Sequence, residues 1–255
     1  MNSLIHALLA KIARDNGYEN ISEAIFETVV MSSARHRAEL KVTMIDDHFS
    51  IQVIKGPLPL PSELFRTFAD WPFVDKCFIA ANEPLLAKFL RRSSELAQSL
   101  PNQAVDDYEI QVQQALSELA PEGTRNTEVE RMVRQRVGQD KFRQSMIGYW
   151  GAACAVTGLT LLPALRASHA KPWADCSNDA ERLNVFNGFL LSANLDALFD
   201  KFLISFDEDG QIVISDTISK SDRHSLGLLP SMKLRWVSSA HEPFLEYHRK
   251  QFLHG

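Results

Sequence analysis

His169, Asn187 and Asp196 are the residues whose types and spacing suit hydrolytic chemistry. His169 ends the short run LRASH, Asn187 opens a second run, NGFLL, eighteen residues later, and Asp196 follows on a stretch with helical spacing. A histidine with a pKa of about 6.5 can take a proton from water at neutral pH. An asparagine can orient it by hydrogen bonding without adding charge. A carboxylate can hold a hard divalent cation such as Mg²⁺, which stabilises charge on a phosphate. Base, orienting residue and metal ligand together make a phosphodiester hydrolysis site. Asp200, one turn after Asp196 on the same helix face, is a further acid with either a ligand role or a helix-end structural role.

The elements that must position these residues can be read around them. LRASHAKPW reads as a strand that delivers His169 to its end, where Pro172 stops the ladder and Trp173 anchors the loop. The polar loop ADCSNDAERLNVF brings the chain back, Asn187-Gly188 is a turn signal, and Ser192 reads as the N-cap of the next helix. The order is strand, loop, strand, helix. Upstream, TEVERMVRQRVGQDKFRQSMIGYWG reads as a helix opened by a Thr127–Glu130 capping box, with Gly138 marking a break. Its Arg131, Arg134, Arg136, Lys141 and Arg143 make either a solvated face or contacts to a phosphate backbone. Arg166 and Lys171 flank His169 and are candidates for the scissile phosphate or its neighbours. Cys154 has the spacing of half a zinc knuckle, but no C-x-x-C or C-x-x-H partner follows, so it reads as a buried structural residue and no structural zinc is expected.

From about Thr127 to Ser215 the motifs CAVTG, SHAKPW, NGFLL and LDALFD occur in order. This segment resembles the HNH endonuclease family, in particular its zinc-free branch. The resemblance implies a ββα-metal fold, two strands and a helix around one divalent cation, Mg²⁺ or Mn²⁺. It implies that His169 is the general base and that Asn187 braces the loop and helps to orient that histidine. Asp196, nine residues after Asn187, stands where the last histidine of the name usually falls and resembles the metal ligand. Ser168 stands where many members carry a second, acidic ligand. Thr157, Ser192 and Leu195 stand where the zinc-bearing branch has cysteines. The implied activity is metal-dependent cleavage of double-stranded DNA to 5′-phosphate products, in restriction or phage defence. Cutting both strands with single-site subunits implies a homodimer. The alternatives are a catalytically degenerate DNA-binding module and a nuclease effector acting on RNA.

The rest of the chain sets bounds. Hydrophobic content of 45% and charged content of 23% in 255 residues are those of a globular protein with a substantial core. No apolar run reaches the roughly 18 to 20 residues that span a bilayer, and the amphipathic N-terminus does not read as a secretory signal. Three scattered cysteines argue for a reducing cytoplasm. Residues 1–120 carry 11 Lys and Arg against 16 Asp and Glu, whereas residues 121–255 carry 16 of each. A nucleic-acid surface must therefore be a local patch, placed in the second half. The first half reads as a helix over 3–14, a helix from Ser22 towards Arg37, a hairpin around Asp46-Asp47-His48, helices near 62–70 and 83–99, and a short strand, KCFIA, that buries Cys77. His36, His48, Asp46 and Asp47 read as a charged hairpin turn rather than a metal cluster. A helical stretch covers 106–119. Proline and glycine clusters near 120–125 suggest a boundary between an N-terminal domain over 1–120, for specificity or dimerisation, and a nuclease domain over 121–255 with its core at about 164–200. A hairpin at Asp209-Gly210 and a final helix close the chain, the latter with Tyr247, Arg249 and Lys250 as packing or DNA-contact residues. The fold class expected is α+β.

Overall fold

The computed structural model describes residues 3–23, 28–101, 103–119 and 127–253, which form two compact units, Met1–Gln103 and Ala104–Gly255. Both mix helix and sheet, as an α+β fold requires. The proline- and glycine-rich stretch on which the sequence boundary rests lies outside the described residues, and the helix over 103–119 falls with the second unit.

In the first unit, α1 (Ser3–Asp15) precedes β1 (Asn20–Glu23), β2 (Thr28–Ser32), β3 (Glu39–Ile45) and β4 (His48–Lys55). α2 (Leu60–Thr67), β5 (Phe73–Val74), β6 (Cys77–Ala80) and α3 (Glu83–Ser99) follow. The six strands form one antiparallel sheet in the order β1-β2-β3-β4-β6-β5. Val29 and Met31, Leu40 and Val42, and Phe49 and Ile51 are buried at every second position, the strand period. They form a core with Leu9 and Ala13 of α1 and with Leu86, Phe89 and Leu90 of α3. The helix expected from Ser22 to Arg37 is instead the β1–β2 pair. The β-branched run Thr28-Val29-Val30 gains more by completing the sheet on β3 than by winding a helix. Cys77 is only partly buried, and its thiol faces the Asp75 carbonyl at 3.6 Å.

The second unit begins with α4 (Gln103–Leu119) and α5 (Thr127–Trp150). Then come β7 (Leu165–His169), α6 (Asp179–Arg182), β8 (Gly188–Ser192), α7 (Ala193–Phe199), β9 (Ile204–Phe206), β10 (Ile212–Ile214), α8 (Lys220–Ser225) and α9 (Glu242–Leu253). β7 pairs with β8 antiparallel, from Leu165 opposite Ser192 to His169 opposite Gly188. α5 and α7 both pack on this ribbon, and α9 packs on β9. Every residue of β8 is buried, so the ribbon is a core element. Gly138 does not break α5, which runs unbroken for 24 residues. A side chain at Gly138 would collide with the Trp173 ring, so this glycine lets the loop after β7 lie directly on the helix.

The turn between α5 and β7 is gathered around one guanidinium. Gly151 and Ala152 take positive φ, and the carbonyls of Trp150, Ala153 and Cys154 point at one guanidinium. Arg235 donates to all three at 2.8–2.9 Å, and its guanidinium lies 4.6 Å from the Trp236 ring centre. Cys154 is fully buried and accepts from the Thr157 amide at 3.4 Å.

Candidate active site

The site is set by the β7–β8 ribbon and the first turn of α7. Gly188 is required where it pairs with the end of β7, because a Cβ there would collide with the Ser168 carbonyl. This places Asn187 directly beside the end of β7, where it is fully buried. Its Oδ1 accepts from the Lys171 amide at 2.8 Å, and its Nδ2 lies within hydrogen-bond distance of the Lys171 and Glu181 carbonyls, both at 3.2 Å, and of the Cys176 sulfur at 3.3 Å. Asn187 thus ties both ends of the 170–182 loop to the ribbon. It makes no direct bond to His169.

The histidine is held by that loop. Its Nε2 lies 2.9 Å from the Arg182 carbonyl, an acceptor only, so Nε2 carries the proton and Nδ1 keeps the lone pair. The ring stacks on Phe142 of α5 at 3.7 Å between centres and meets the edge of Trp173 at 5.9 Å. Burial pushes its pKa down to about 4, opposed by the bond to the Arg182 carbonyl. At neutral pH the ring is an uncharged base.

Arg182 is itself fixed by its side chain. The guanidinium donates to the Trp173 carbonyl at 3.2 Å, the Cys176 carbonyl at 2.9 Å and Asp179 Oδ1 at 2.8 Å. Arg182 and Phe142 are missing from the sequence-derived site. A carbonyl bond leaves no trace in residue type, and Phe142 reads there as one more apolar position of a helix.

Ser168 is buried on β7, and its hydroxyl donates to Asp196 Oδ1 at 2.5 Å, which brings the two expected metal ligands together. Asp200 caps the C-terminal end of α7 and lines a cavity of about 280 Å³ with Ala167, His169, Pro172, Trp173, Phe199 and Phe202. Its pKa is raised, first by desolvation and then by the charge of Asp196, against the opposing charge of Lys201. The Asp196 carboxylate and the Ser168 hydroxyl are hard oxygen donors of the kind that Mg²⁺ or Mn²⁺ takes, a small set that water and substrate oxygens would have to complete. Among the described residues no group of three or more His, Cys, Asp and Glu is gathered for a metal. Ser192 sits at the N-cap of α7 but spends its hydroxyl on Asn194 Oδ1 at 2.7 Å rather than on the helix amides.

Most of the cations expected to meet phosphate have protein partners. Arg143 donates to the Leu165 carbonyl at 2.8 Å and to the Leu162 carbonyl at 3.4 Å, which steadies the start of β7. Lys171 pairs with Glu181 at 2.7 Å. Arg166 donates to the Pro163 and Leu165 carbonyls but stays exposed beside the site. Arg134 pairs with Glu109 and Glu130, and Lys141 with Asp107. Tyr247 binds Asp175 at 2.8 Å, and so holds the far side of the loop against α9.

A strand-ended histidine, an asparagine-clamped loop and an acidic residue on the following helix are carried by two paired strands and a helix, a ββα arrangement. Residues 154–207 match the family model of the HNH endonucleases, which supports the HNH endonuclease family for this segment. The family's members are typically nucleases that use divalent metal ions, which points to a nuclease or nucleic-acid-binding function. No curated protein matches the chain. No helix among the described residues is long and apolar enough to cross a membrane.

Proposed function

We propose that the chain is a metal-dependent endonuclease that hydrolyses phosphodiester bonds of double-stranded DNA. The observation that carries the reading is the fixed tautomer of His169, an uncharged base with Nδ1 unprotonated, on a residue that lines a cavity with Asp200. His169 Nδ1 takes a proton from water as the oxygen attacks phosphorus. The bond from phosphorus to the 3′-oxygen breaks, the leaving oxygen is protonated from solvent, and the new terminus carries a 5′-phosphate. Asp196, with Ser168 beside it, would hold Mg²⁺ or Mn²⁺. Bound there, such a cation supplies Lewis-acid stabilisation of the charge on the phosphate and the leaving oxygen. Arg166 is the exposed cation best able to meet a neighbouring phosphate, whereas Lys171 and Arg143 act mainly through the loop and strand they brace.

A nuclease unit joined to a separate α+β unit suits a restriction or phage-defence enzyme in which the first unit selects the target or joins two copies. Cutting both strands calls for two such sites, hence a homodimer. The three free cysteines suit a reducing cytoplasm. The small acidic donor set also admits a second reading, a binding module that has lost catalysis. The deciding experiment is cleavage of plasmid DNA with Mg²⁺, Mn²⁺ or EDTA, with RNA and single-stranded DNA alongside. The wild-type protein is expected to cut duplex DNA only with metal, and His169→Ala to lose at least about 100-fold, the scale of a general base. Equal rates for the two proteins would end the assignment. Tight DNA binding without cleavage in any metal would favour the binding module.

A further inference from the structure

The C-terminal turn of α7 carries a residue that its backbone does not call for. The Leu203 amide donates to the Leu198 carbonyl and the Phe202 amide to the Phe199 carbonyl, both at 2.9 Å. These two bonds make a Schellman motif whose left-handed position is Phe202, with φ of 56°. Glycine occupies that position without strain, and a bulky residue there is an outlier held only by its surroundings. The turn accounts for the backbone conformation and leaves the ring to be explained.

The ring faces two ways. On one side it meets His248 at 4.8 Å. On the other it lines the cavity with His169 and Trp173. Trp173 is equally constrained. It seats over Gly138, stands edge-on to His169, and has the Arg182 guanidinium 5.6 Å from its centre. Both rings remain partly exposed, while Phe199 behind them is buried. A cavity of about 280 Å³ lies just below the roughly 300 Å³ at which drug-sized sites begin, so it suits one ring system. Aromatic side chains accept the flat face of any base, and a base reaches them only after leaving its stack.

We propose that Trp173 and Phe202 form a stacking subsite for the nucleobase that flanks the scissile phosphate, and that this base is received unstacked from its strand. The inference rests on the nuclease reading above. It makes the enzyme sensitive to how easily one nucleotide beside the cut can be extruded.

The test is a two-by-two comparison of full-length wild type and Phe202→Gly on a duplex that is intact or lacks the single flanking base, the abasic position being walked across the cut. Binding is read by fluorescence anisotropy in EDTA, and cleavage in Mg²⁺. The glycine variant relieves the turn, and its thermal midpoint reports that the fold is kept. Removing the ring or the base is expected to weaken binding and kcat/KM about tenfold, the order that base–aromatic stacking carries. Removing both is expected to cost no more than one, and Phe202→Tyr to restore the coupling. An equal loss for Phe202→Gly on both duplexes would show that the ring only packs on His248 and would overturn the inference, as would unchanged wild-type affinity at every abasic position. Coupled binding with no cleavage in any metal would instead retain the subsite and reject the nuclease.

Discussion

At His169 the proposed chemistry depends on one bond to a backbone oxygen. The histidine, asparagine and aspartate are readable in the sequence because their side-chain types suit the proposed function. The partner that sets the tautomer is the Arg182 carbonyl, which any residue could provide, so nothing in the spacing announces it. What makes that carbonyl rigid is the Arg182 side chain, with two loop carbonyls and Asp179 as acceptors. Arg182→Ala is therefore expected to lower kcat about 10- to 100-fold, the range for a partner that orients a functional histidine, with KM little changed. ¹⁵N NMR of the imidazole should then show a mixture of tautomers in place of one protonated at Nε2. A variant that keeps the single tautomer and the wild-type kcat would mean that the loop holds the carbonyl without this guanidinium. Ser168 follows the same logic. Its place in the motif suggests a depleted ligand, whereas its hydroxyl reaches Asp196 and fixes the carboxylate that remains.

At the scale of elements, the ββα core is readable because its strands and helix are short and punctuated by Pro172, Asn187-Gly188 and Ser192. What holds those elements in place comes from residues far along the chain. Arg235 gathers the carbonyls of the turn before β7 and so holds that turn from far along the chain. His248 of α9 is fully enclosed, stacked on Phe199 at 3.8 Å. Its Nε2–H donates to the Phe199 carbonyl at 3.0 Å, and its Nδ1 accepts from the Ser205 hydroxyl at 3.0 Å. Burial first, then the charge of Arg249, pushes its pKa down to about 4, although the bond to the Phe199 carbonyl opposes the shift. An unfolded histidine titrates at about 6.5, so the unfolded chain binds the proton first as pH falls. The stability this group confers is complete above about pH 6.5 and drains away towards about pH 4, and His169 contributes in the same direction. Urea unfolding should thus show stability falling by up to about 1.4 kcal/mol per pH unit for each histidine through that window. His248→Gln should flatten the slope at some cost in stability at neutral pH. An unchanged slope would mean that other groups dominate the acid limb.

At the scale of the whole chain, the two units differ in how much of their purpose is written in residue types. The second carries ordered motifs whose side chains suit the proposed chemistry. The first is a six-stranded sheet under helices whose buried residues describe only packing, and the β1–β2 pair escapes local reading because it is stabilised by β3 rather than by its own sequence. The division at Gln103 gives each unit its own core, with α5 packed on the ribbon and α4 tied to α5 by the Glu109–Arg134 and Asp107–Lys141 pairs. Every residue assigned a part in hydrolysis lies between Phe142 and Phe202. A fragment spanning Ala104–Gly255 is accordingly expected to unfold in one cooperative transition and to nick plasmid DNA in Mg²⁺ at a rate comparable to the full chain. It should lose whatever preference the full chain shows among DNA sequences or modifications, together with any concentration dependence of linear over nicked product. Circular dichroism and product analysis across a protein dilution series measure both. A folded fragment that cannot cut would place an essential part of the active centre in the first unit. A fragment with unaltered selectivity and pairing would assign target choice and self-association to the nuclease unit itself.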